Sequence, residues 1–339
     1  MPNTPTCHRD ASIDEKVAFL RRPETYPTRS ARVEVIETHM SWVFLADTLV
    51  YKLKKPVRYE FLDFSTLEAR RLNCQREVEL NRRLAPDVYR GTVPLTMRSD
   101  GSLHLGGPGT TIEWLVEMRR LPADRMLDAA IRAHSVEPAD VRALARVLTG
   151  FYRTATAVAF DAKDYRQRFS RDIRSNQAEL RRPIFGLAAA LIDGLADSQL
   201  RFLELHGYLL GQRARNGKIV DAHGDLRPEH ICLTPEPRII DCLEFNRDFR
   251  LLDPVDELSY LAMECERLGG ASVGAEILAQ YSAATGDIVP PRLIGFYKTF
   301  RAFLRARIAI MHIADHDVND VEKWRGRAND YLQLAESCA

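Results

Sequence analysis

Short stretches of strand-forming residues make up the first part of the chain. VEVIE (33–37) largely alternates between apolar and acidic residues, WVFLA (42–46) is an apolar run, a turn-like ADT follows, and LVYKLKK (49–55) ends at Pro56. Period-two alternation is typical of a strand with one buried face, and proline cannot continue the hydrogen-bond ladder. The pattern therefore predicts three consecutive strands joined by short turns.

A long helix is predicted directly after these strands. Ser65 and Glu68 have the spacing of a capping box, in which the serine oxygen accepts from an exposed amide and the glutamate reaches back. The predicted helix, LEARRLNCQREVELNRRL (67–84), ends before Pro86. Two later stretches, GTVPLTMR and TIEWLVEMRRL, are predicted as further strands.

The period changes to that of helices after position 121. DPVDELSYLAMECERLGG begins at Asp-Pro and ends at Gly-Gly, which are typical helix boundaries, and PRLIGFYKTFRAFLRARIAIMHIADH predicts another long helix. We therefore predict an α+β, two-lobed fold. It has an N-terminal extension (1–32), a small β-rich N-lobe (33–120) and a larger, mostly helical C-lobe (121–339).

Composition and charge exclude several classes of protein. Hydrophobic residues make up 45% of the 339 positions, which is enough for a large core and excludes global disorder. The 48 basic and 47 acidic residues leave a net charge of +1, which makes nucleic-acid binding through bulk charge unlikely. The six cysteines form no CxxC pair, so neither a disulfide framework nor a zinc site is predicted.

Membrane and targeting signals are not predicted either. The opening MPNTPTCHRDASIDEK lacks the apolar core of a signal peptide. No apolar run reaches the roughly 18 residues that a membrane-spanning helix needs. We expect a cytoplasmic protein.

Two polar motifs interrupt the helical pattern, HGDLRPEHICL (223–233) and IIDCLEF (239–245). Phosphoryl transfer to a hydroxyl requires a carboxylate that accepts its proton, a carboxylate that holds a metal ion, and cations that neutralise the phosphates. Asp225, in a loop before the predicted strand HICLT, suits the first task. Asp241, which follows an apolar strand, suits the second.

These motifs resemble those of kinase-like phosphotransferases, and specifically the aminoglycoside phosphotransferase group. HGDLRPEHI is similar to that family's catalytic loop and IIDCLEF to its metal-binding strand, while LVYKLKK, CQREVELNRRL and DPVDELSYL match in the same order, roughly over residues 33–310. The chain looks closest to an uncharacterised bacterial branch that is sometimes fused to a P-loop kinase domain. It contains no GxxxxGK[ST], so we expect the stand-alone form.

The resemblance implies a role for each matching residue at the catalytic and metal sites. Asp225 would be the catalytic base and Asp241 the main Mg²⁺ ligand. His223 would support the catalytic loop by hydrogen bonds to the backbone. The family has asparagine, a second metal ligand, where this chain has His230, which leaves the second metal in question because imidazole is a less usual ligand of magnesium.

The resemblance also implies a nucleotide site in the N-lobe. Lys52 would contact the phosphates, although Lys54 lies on the same face of the strand and the pattern alone does not separate them. Glu77 shares the buried face of its helix and is preferred over Glu79 as the partner of the lysine. ATP is the expected nucleotide, with Mg²⁺ or Mn²⁺.

Further nucleotide contacts are expected from two other segments. The usual glycine-rich loop is replaced by ETHMSWVF, in which Thr38 and Ser41, with the neighbouring histidine, would donate hydrogen bonds to phosphate. The stretch WLVEM, including Glu117 and Met118, would supply backbone hydrogen bonds to the adenine.

The acceptor pocket is expected to involve arginines. Arg301 and Arg305 lie four positions apart on one helical face and would hold an anionic acceptor, while Arg227 beside the base is a further candidate. A solvated stripe of arginines is the alternative. A cationic aminoglycoside would instead require acidic residues.

Three interpretations of the function remain open. The leading one is an ATP- and Mg²⁺-dependent kinase that acts on a small-molecule hydroxyl. The others are a catalytically altered, nucleotide-sensing or partner-binding pseudokinase, and a kinase of macromolecules. Each motif alone also has a structural alternative: a His-Gly-Asp turn, a buried aspartate, or lysines along a solvated strand.

Overall fold

The computed structural model describes residues 11–27, 31–59, 62–314 and 320–339. Two compact units account for the chain: the first comprises Met1–Pro122 and Arg238–Asn246, and the second comprises Ala123–Pro237 and Arg247–Ala339. The segment around Asp241 therefore belongs to the strand-rich unit, whereas the boundaries drawn from the sequence assign it to the helical part.

The strands and helices are assigned as follows. The strands are β1 (Val33–Glu37), β2 (Ser41–Ala46), β3 (Leu49–Lys54), β4 (Arg58–Tyr59), β5 (Leu62–Asp63), β6 (Tyr89–Met97), β7 (Leu103–Leu105), β8 (Thr110–Arg119), β9 (Val220–Asp221), β10 (Ile231–Cys232), β11 (Arg238–Ile239) and β12 (Leu251–Leu252). The helices are α1 (Ile13–Leu20), α2 (Leu67–Asn81), α3 (Leu127–Arg132), α4 (Pro138–Thr154), α5 (Ala162–Leu180), α6 (Ala189–His206), α7 (Tyr208–Arg215), α8 (Pro254–Arg267), α9 (Ala271–Thr285), α10 (Pro291–Met311) and α11 (Val321–Cys338).

The first unit is built on a six-stranded sheet with the order β1-β2-β3-β8-β6-β7, in which every adjacent pair is antiparallel. Strand β3 is central to it: Lys52 lies opposite Val43 of β2 and opposite Val116 of β8. One face of the sheet packs with residues of α1 and the other with residues of α2. Because side chains alternate along a strand, Lys52 and Lys54 share the α2 face with Val50.

The start of α2 differs from the prediction by one residue. The N-cap is Thr66, whose hydroxyl accepts from the amide of Ala69 at 3.1 Å. Ser65 instead donates to Asp63 at 2.6 Å, so the capping box predicted at Ser65 is wrong. The helix also ends at Asn81, before the end predicted from Pro86.

A buried carboxylate on β8 holds both α1 and α2. Glu113 has no exposed surface, and it accepts from Lys16 of α1 at 3.0 Å and from two nitrogens of Arg70 of α2 at 2.8 and 2.7 Å. A buried charge is stable only when opposite charges compensate it, and here two cations surround one buried anion. The helix within the predicted N-terminal extension is thus part of the first unit.

The second unit is mainly helical, and α8 is its most buried helix, with Pro254 through Cys265 all buried. The loop that precedes β10 is supported by pairing of β9 with β12, in which Asp221 lies opposite Leu251. The α+β class predicted from the sequence is confirmed. In the described part of the chain, none of the helices combines the length and hydrophobicity that a membrane span requires.

Removing the charge of Glu113 is expected to destabilise the first unit. Glu113→Gln would leave Lys16 and Arg70 buried without a counter-charge, so the free energy of unfolding should fall by about 3–5 kcal/mol. Urea unfolding followed by tryptophan fluorescence measures the change. The control Glu79→Gln, at an exposed position of α2, should change stability by less than about 0.5 kcal/mol. Equal unfolding midpoints for the two variants would contradict this role of Glu113.

Candidate active site

Lys52 joins two carboxylates on the α2 face of the sheet. Its ammonium donates to Glu77 at 2.9 Å and to Asp241 at 2.8 Å. The side chain of Glu77 is completely buried, whereas that of Asp241 is 44% exposed. Burial alone would lower the pKa of Lys52, but Asp241 and Glu77 outweigh it and hold the pKa well above its usual value. The lysine is therefore charged and lies beside an accessible carboxylate.

Lys54 has a different environment from Lys52. It is almost fully buried and donates to the second oxygen of Glu77 at 2.5 Å and to Glu244 at 2.7 Å. Burial would raise the pKa of Glu77, but the two lysines outweigh it and the pKa is lowered. Burial dominates at Glu244, whose pKa is raised. Of the two lysines that the pattern left open, Lys52 contacts the exposed carboxylate, and Lys54 links two buried ones.

The loop that carries Asp241 is anchored to α2 and β6. The amide of Asp241 donates to the hydroxyl of Tyr89 at 3.1 Å, and the amide of Cys242 donates to the side chain of Asn81 at 2.8 Å. Asp241 adopts a φ of 61°, in the left-handed region that aspartate tolerates better than most residues. These contacts fix the direction in which the carboxylate leaves the backbone.

The second unit contains the loop of the motif HGDLRPEHICL (the HGD loop, residues 223–230), which is held by an acidic residue of α8. Glu257 accepts from the amides of His223 and Gly224, at 3.1 and 2.6 Å, and from the hydroxyl of Tyr152 at 2.8 Å. Burial raises the pKa of Glu257, although these hydrogen bonds oppose it. Gly224 has a φ of 92°, which favours glycine. Glu257 is not among the site residues predicted from the sequence.

Asp225 is oriented by hydrogen bonds from two side chains. It accepts from the hydroxyl of Tyr260 at 3.0 Å and from the guanidinium of Arg227 at 3.1 Å, and its side chain remains 27% exposed. The amide of Asp225 donates to Nδ1 of His223 at 3.3 Å, which supports the loop from inside. The geometry gives a fixed, partly accessible carboxylate.

His230 is used within the same loop. Its Nδ1 lies 2.9 Å from the carbonyl oxygen of Asp225, and its Nε2 lies 3.2 Å from a nitrogen of Arg227. An arginine can only donate, so Nε2 accepts from Arg227 and Nδ1 carries the proton that is donated to the carbonyl. With both ring nitrogens engaged, the structure does not support the prediction that His230 binds a metal.

The predicted phosphate contacts of Thr38 and Ser41 also differ from the structure. The hydroxyl of Thr38 donates to the carbonyl oxygen of Ser41 and accepts from its amide, both at 3.0 Å. Ser41 is buried. These residues close the turn between β1 and β2, which leaves neither hydroxyl available as an open phosphate contact.

Glu117 and Met118 lie inside β8 and not at its end. Glu117 is opposite Tyr51 of β3 and Gly91 of β6, and Met118 is opposite Val50 and Tyr89. A strand with neighbours on both sides directs its backbone groups at those neighbours. The strand pairing therefore does not support the prediction that these two residues bind adenine through their backbone.

The two arginines of α10 are both engaged. Arg301 is buried and binds Asp256 through two hydrogen bonds of 2.7 Å. This contact favours a structural role and does not support Arg301 as part of an acceptor pocket. Arg305 lies 3.4 Å from Glu264 and 3.4 Å from the hydroxyl of Tyr331, and 12% of its side chain is exposed.

The residues around Asp241 fit a magnesium ion that is bound together with phosphate. In the described ranges, no group of three or more histidine, cysteine, aspartate or glutamate residues is arranged to hold a metal ion. Magnesium usually takes one or two carboxylates and fills its other positions with phosphate oxygens and water. The half-exposed carboxylate of Asp241 meets that requirement, whereas His230 does not.

Comparisons of the sequence find relatives but no matching family model. The uncharacterised proteins Rv2004c of Mycobacterium tuberculosis and Mb2027c of Mycobacterium bovis are each 35% identical to the chain over 283 residues. The match covers 81% of the chain and 54% of each relative. The chain thus corresponds to little more than half of these longer proteins.

Solved structures identify the fold. A choline kinase from Cryptosporidium parvum covers 95% of the chain and 95% of its own length, with a TM-score of 0.52 at 10% identity. The structure of LicA in complex with AMP covers 97% of the chain and 100% of its own length, with a TM-score of 0.50 at 14% identity. The fold is kinase-like. An aminoglycoside phosphotransferase from Alicyclobacillus acidocaldarius covers 90% of the chain and 91% of its own length, with a TM-score of 0.41 at 13% identity.

Replacing Lys54 is expected to destabilise the protein in a pH-dependent manner. Lys54→Met would leave Glu77 and Glu244 without their shared cation, at a cost of about 3–5 kcal/mol near neutral pH. Glu77 keeps Lys52, but burial would hold the pKa of Glu244 above its value in the unfolded chain, so the folded state would bind more protons and stability would fall as pH rises. Urea unfolding at pH 5.5 and 7.5 should show a larger deficit at pH 7.5.

Lys55→Met provides the matched control for this prediction. Lys55 pairs with Glu37, whose side chain is 58% exposed, so its loss should cost less than about 1 kcal/mol at both pH values. A Lys54→Met variant as stable as Lys55→Met would show that the buried lysine does not stabilise the two carboxylates.

Proposed function

We propose that the protein is an ATP- and Mg²⁺-dependent phosphotransferase that acts on a hydroxyl group of a small molecule. The observation that carries this proposal is the position of Lys52, held by the buried Glu77 and in contact with the half-exposed Asp241. A fixed cation beside an accessible carboxylate suits a metal-bound polyphosphate. The kinase-like fold, shared with proteins named as choline kinase and as LicA in complex with AMP, supports the same function.

The nucleotide would be held by residues of the first unit. Lys52 would donate to phosphate oxygens, and Glu77 would keep its ammonium in place. Asp241 would hold Mg²⁺, which neutralises charge on the phosphates. A lysine already fixed by a buried carboxylate loses little side-chain freedom when the nucleotide binds, which favours affinity.

The acceptor hydroxyl would be activated by Asp225. This carboxylate is fixed by Tyr260 and Arg227 and remains partly exposed, so it can accept a proton from a bound alcohol. Glu257 and His223 would act as positioning residues that hold the loop and do not touch the substrate. Positioning and charge neutralisation would supply most of the rate enhancement, as in other phosphoryl transfers.

A nucleotide-binding protein without transferase activity is the second candidate. The observation in its favour is that His230 is engaged by Arg227 and by the backbone, so the position where the family has a second metal ligand is not available for metal binding. Under this alternative Lys52 and Asp241 would still bind ATP with Mg²⁺, but the γ-phosphate would not be transferred.

Two variants separate nucleotide binding from transfer. Lys52→Met should weaken Mg²⁺–ATP binding by at least tenfold, because a charge-assisted hydrogen bond contributes about 1.5–3 kcal/mol. Asp225→Asn should keep ATP affinity within about twofold but lower transfer by 10² or more, the range for loss of a general base. Calorimetry measures binding, and transfer from γ-labelled ATP to a broad panel of small alcohols measures activity.

Two variants outside the proposed site serve as controls. Lys55→Met and the exposed Asp197→Asn should behave as the wild type in both assays. Unchanged ATP affinity in Lys52→Met would exclude Lys52 from the nucleotide site, and full transfer by Asp225→Asn would exclude Asp225 as the base. ATP binding with no transfer to any acceptor would favour the second candidate.

A further inference from the structure

A pocket of about 440 Å³ lies within the second unit. Its walls come from α3, from Glu229 in the HGD loop, from Arg267 at the end of α8, and from one face of α11. This volume falls within the usual range of small-molecule sites, roughly 300–1,000 Å³. None of the roles proposed above uses this pocket.

One short chain of contacts connects the pocket to Asp225. Glu229 lines the pocket and pairs with Arg227 at 2.7 Å, and Arg227 in turn donates to Asp225 at 3.1 Å. A second chain of contacts begins at Arg267, which also lines the pocket and pairs with Glu264 at 2.8 Å. Glu264 in turn lies 3.4 Å from Arg305. The pocket wall is therefore continuous with the groups that surround the proposed base.

Most charged side chains of the pocket are already neutralised. Glu229 pairs with Arg227, Glu322 with Arg325, and Arg267 with Glu264. The remaining pair on α3 joins Asp128 to its neighbour Arg132 at 2.6 Å. Arg227 also binds Asp225, and Glu264 also lies 3.4 Å from Arg305; with these two residues included, the four ion pairs add no net charge.

The unpaired charges lie on α11 and favour an anion. Among the described residues, Lys323, Arg327 and Asp330 form no ion pair within 4.0 Å, and their spacing of four and three positions places them on one helical face. Lys323 and Arg327 both line the pocket, and their charged ends lie 5.4 and 5.9 Å from the ring centroid of Trp324. Two free cations against one free carboxylate leave a positive surplus.

A glycine between the two cations keeps this wall open. Gly326 is in the middle of α11, where glycine costs about 0.5–1 kcal/mol relative to alanine. Among the described residues, neither packing nor backbone conformation requires it, since an added Cβ would meet none of their atoms within 4 Å. The missing side chain instead leaves room in the pocket that Gly326 lines.

We propose that this pocket binds the acceptor, and that the acceptor is a hydroxyl compound with a phosphate or carboxylate group held by Lys323 and Arg327. Asp330 would accept a hydrogen bond from another polar group of the same molecule. This inference rests on the proposed phosphotransferase function. In the reaction the acceptor oxygen bonds to the γ-phosphorus, the bond from that phosphorus to the β–γ bridging oxygen breaks, ADP leaves with the electron pair, and Asp225 takes the hydroxyl proton.

Matched pairs of ligands test the charge of the acceptor. Glucose 6-phosphate and gluconate are compared with glucose, and glycerol 3-phosphate with glycerol, by calorimetry on the full chain. At least one anionic member should bind tenfold or more tightly than its neutral parent. The double variant Lys323→Gln/Arg327→Gln should lose that preference and keep its affinity for ATP. Absence of any preference across the panel, or a preference that survives in the double variant, overturns the proposal.

Filling the pocket gives an independent test. Gly326→Trp should weaken binding of the preferred anion by at least tenfold while leaving ATP affinity unchanged. Gly194→Trp is the matched control, because Gly194 is also an exposed glycine within a helix where an added Cβ meets no atom within 4 Å. Circular dichroism and the melting temperature establish that both variants are folded. Equal anion binding by Gly326→Trp and Gly194→Trp would show that the acceptor does not bind in this pocket.

The outcomes also separate this inference from the proposed function. Anion binding that depends on Lys323 and Arg327, without phosphoryl transfer, would keep the pocket and reject the transferase. Transfer that depends on Asp225 but is unaffected in both pocket variants would keep the transferase and reject the pocket.

Discussion

The buried carboxylate of Glu77 is the constraint on which the first unit depends. Each of its oxygens accepts from a different lysine of β3, and removing a carboxylate from water costs several kcal/mol unless such partners compensate it. The two lysines share a face of the strand, so a single helix position satisfies both. Because Lys52 and Lys54 also contact Asp241 and Glu244, the same carboxylate determines where the IIDCLEF loop lies against the sheet.

Most of this arrangement follows from periodicity in the sequence. Strand-forming stretches predict β1 to β3, the period of two predicts the shared face of the two lysines, and the 3.6-residue period places Glu77, and not Glu79, on the buried side of α2. Periodicity does not identify partners across the chain. The same pattern is compatible with Lys54 as a solvated residue, and only the packing of Glu244 beside it shows why it is buried.

The structure does not support the sequence predictions at positions where a neighbouring residue binds the same polar group. His230 occupies a position that suggests a metal ligand, but Arg227, three residues earlier, uses its Nε2. Arg301 has the spacing of an exposed stripe, but Asp256 of the buried α8 binds it. The acidic residues in DPVDELSYL could have been recognised from the sequence as candidates for buried contacts, because charged residues within an apolar helix need buried partners. The partners of Glu257 are the amides of His223 and Gly224 in the HGD loop.

The backbone at Asp241 also bears on how this fold can diverge. Only a few residue types accept a φ of 61° with little strain, and asparagine, which has almost the shape of aspartate, is one of them. A single replacement can therefore abolish the negative charge next to Lys52 while the loop retains its conformation. In descendants of the chain, one substitution at this position can remove the charge, and the backbone conformation adds little strain to the change.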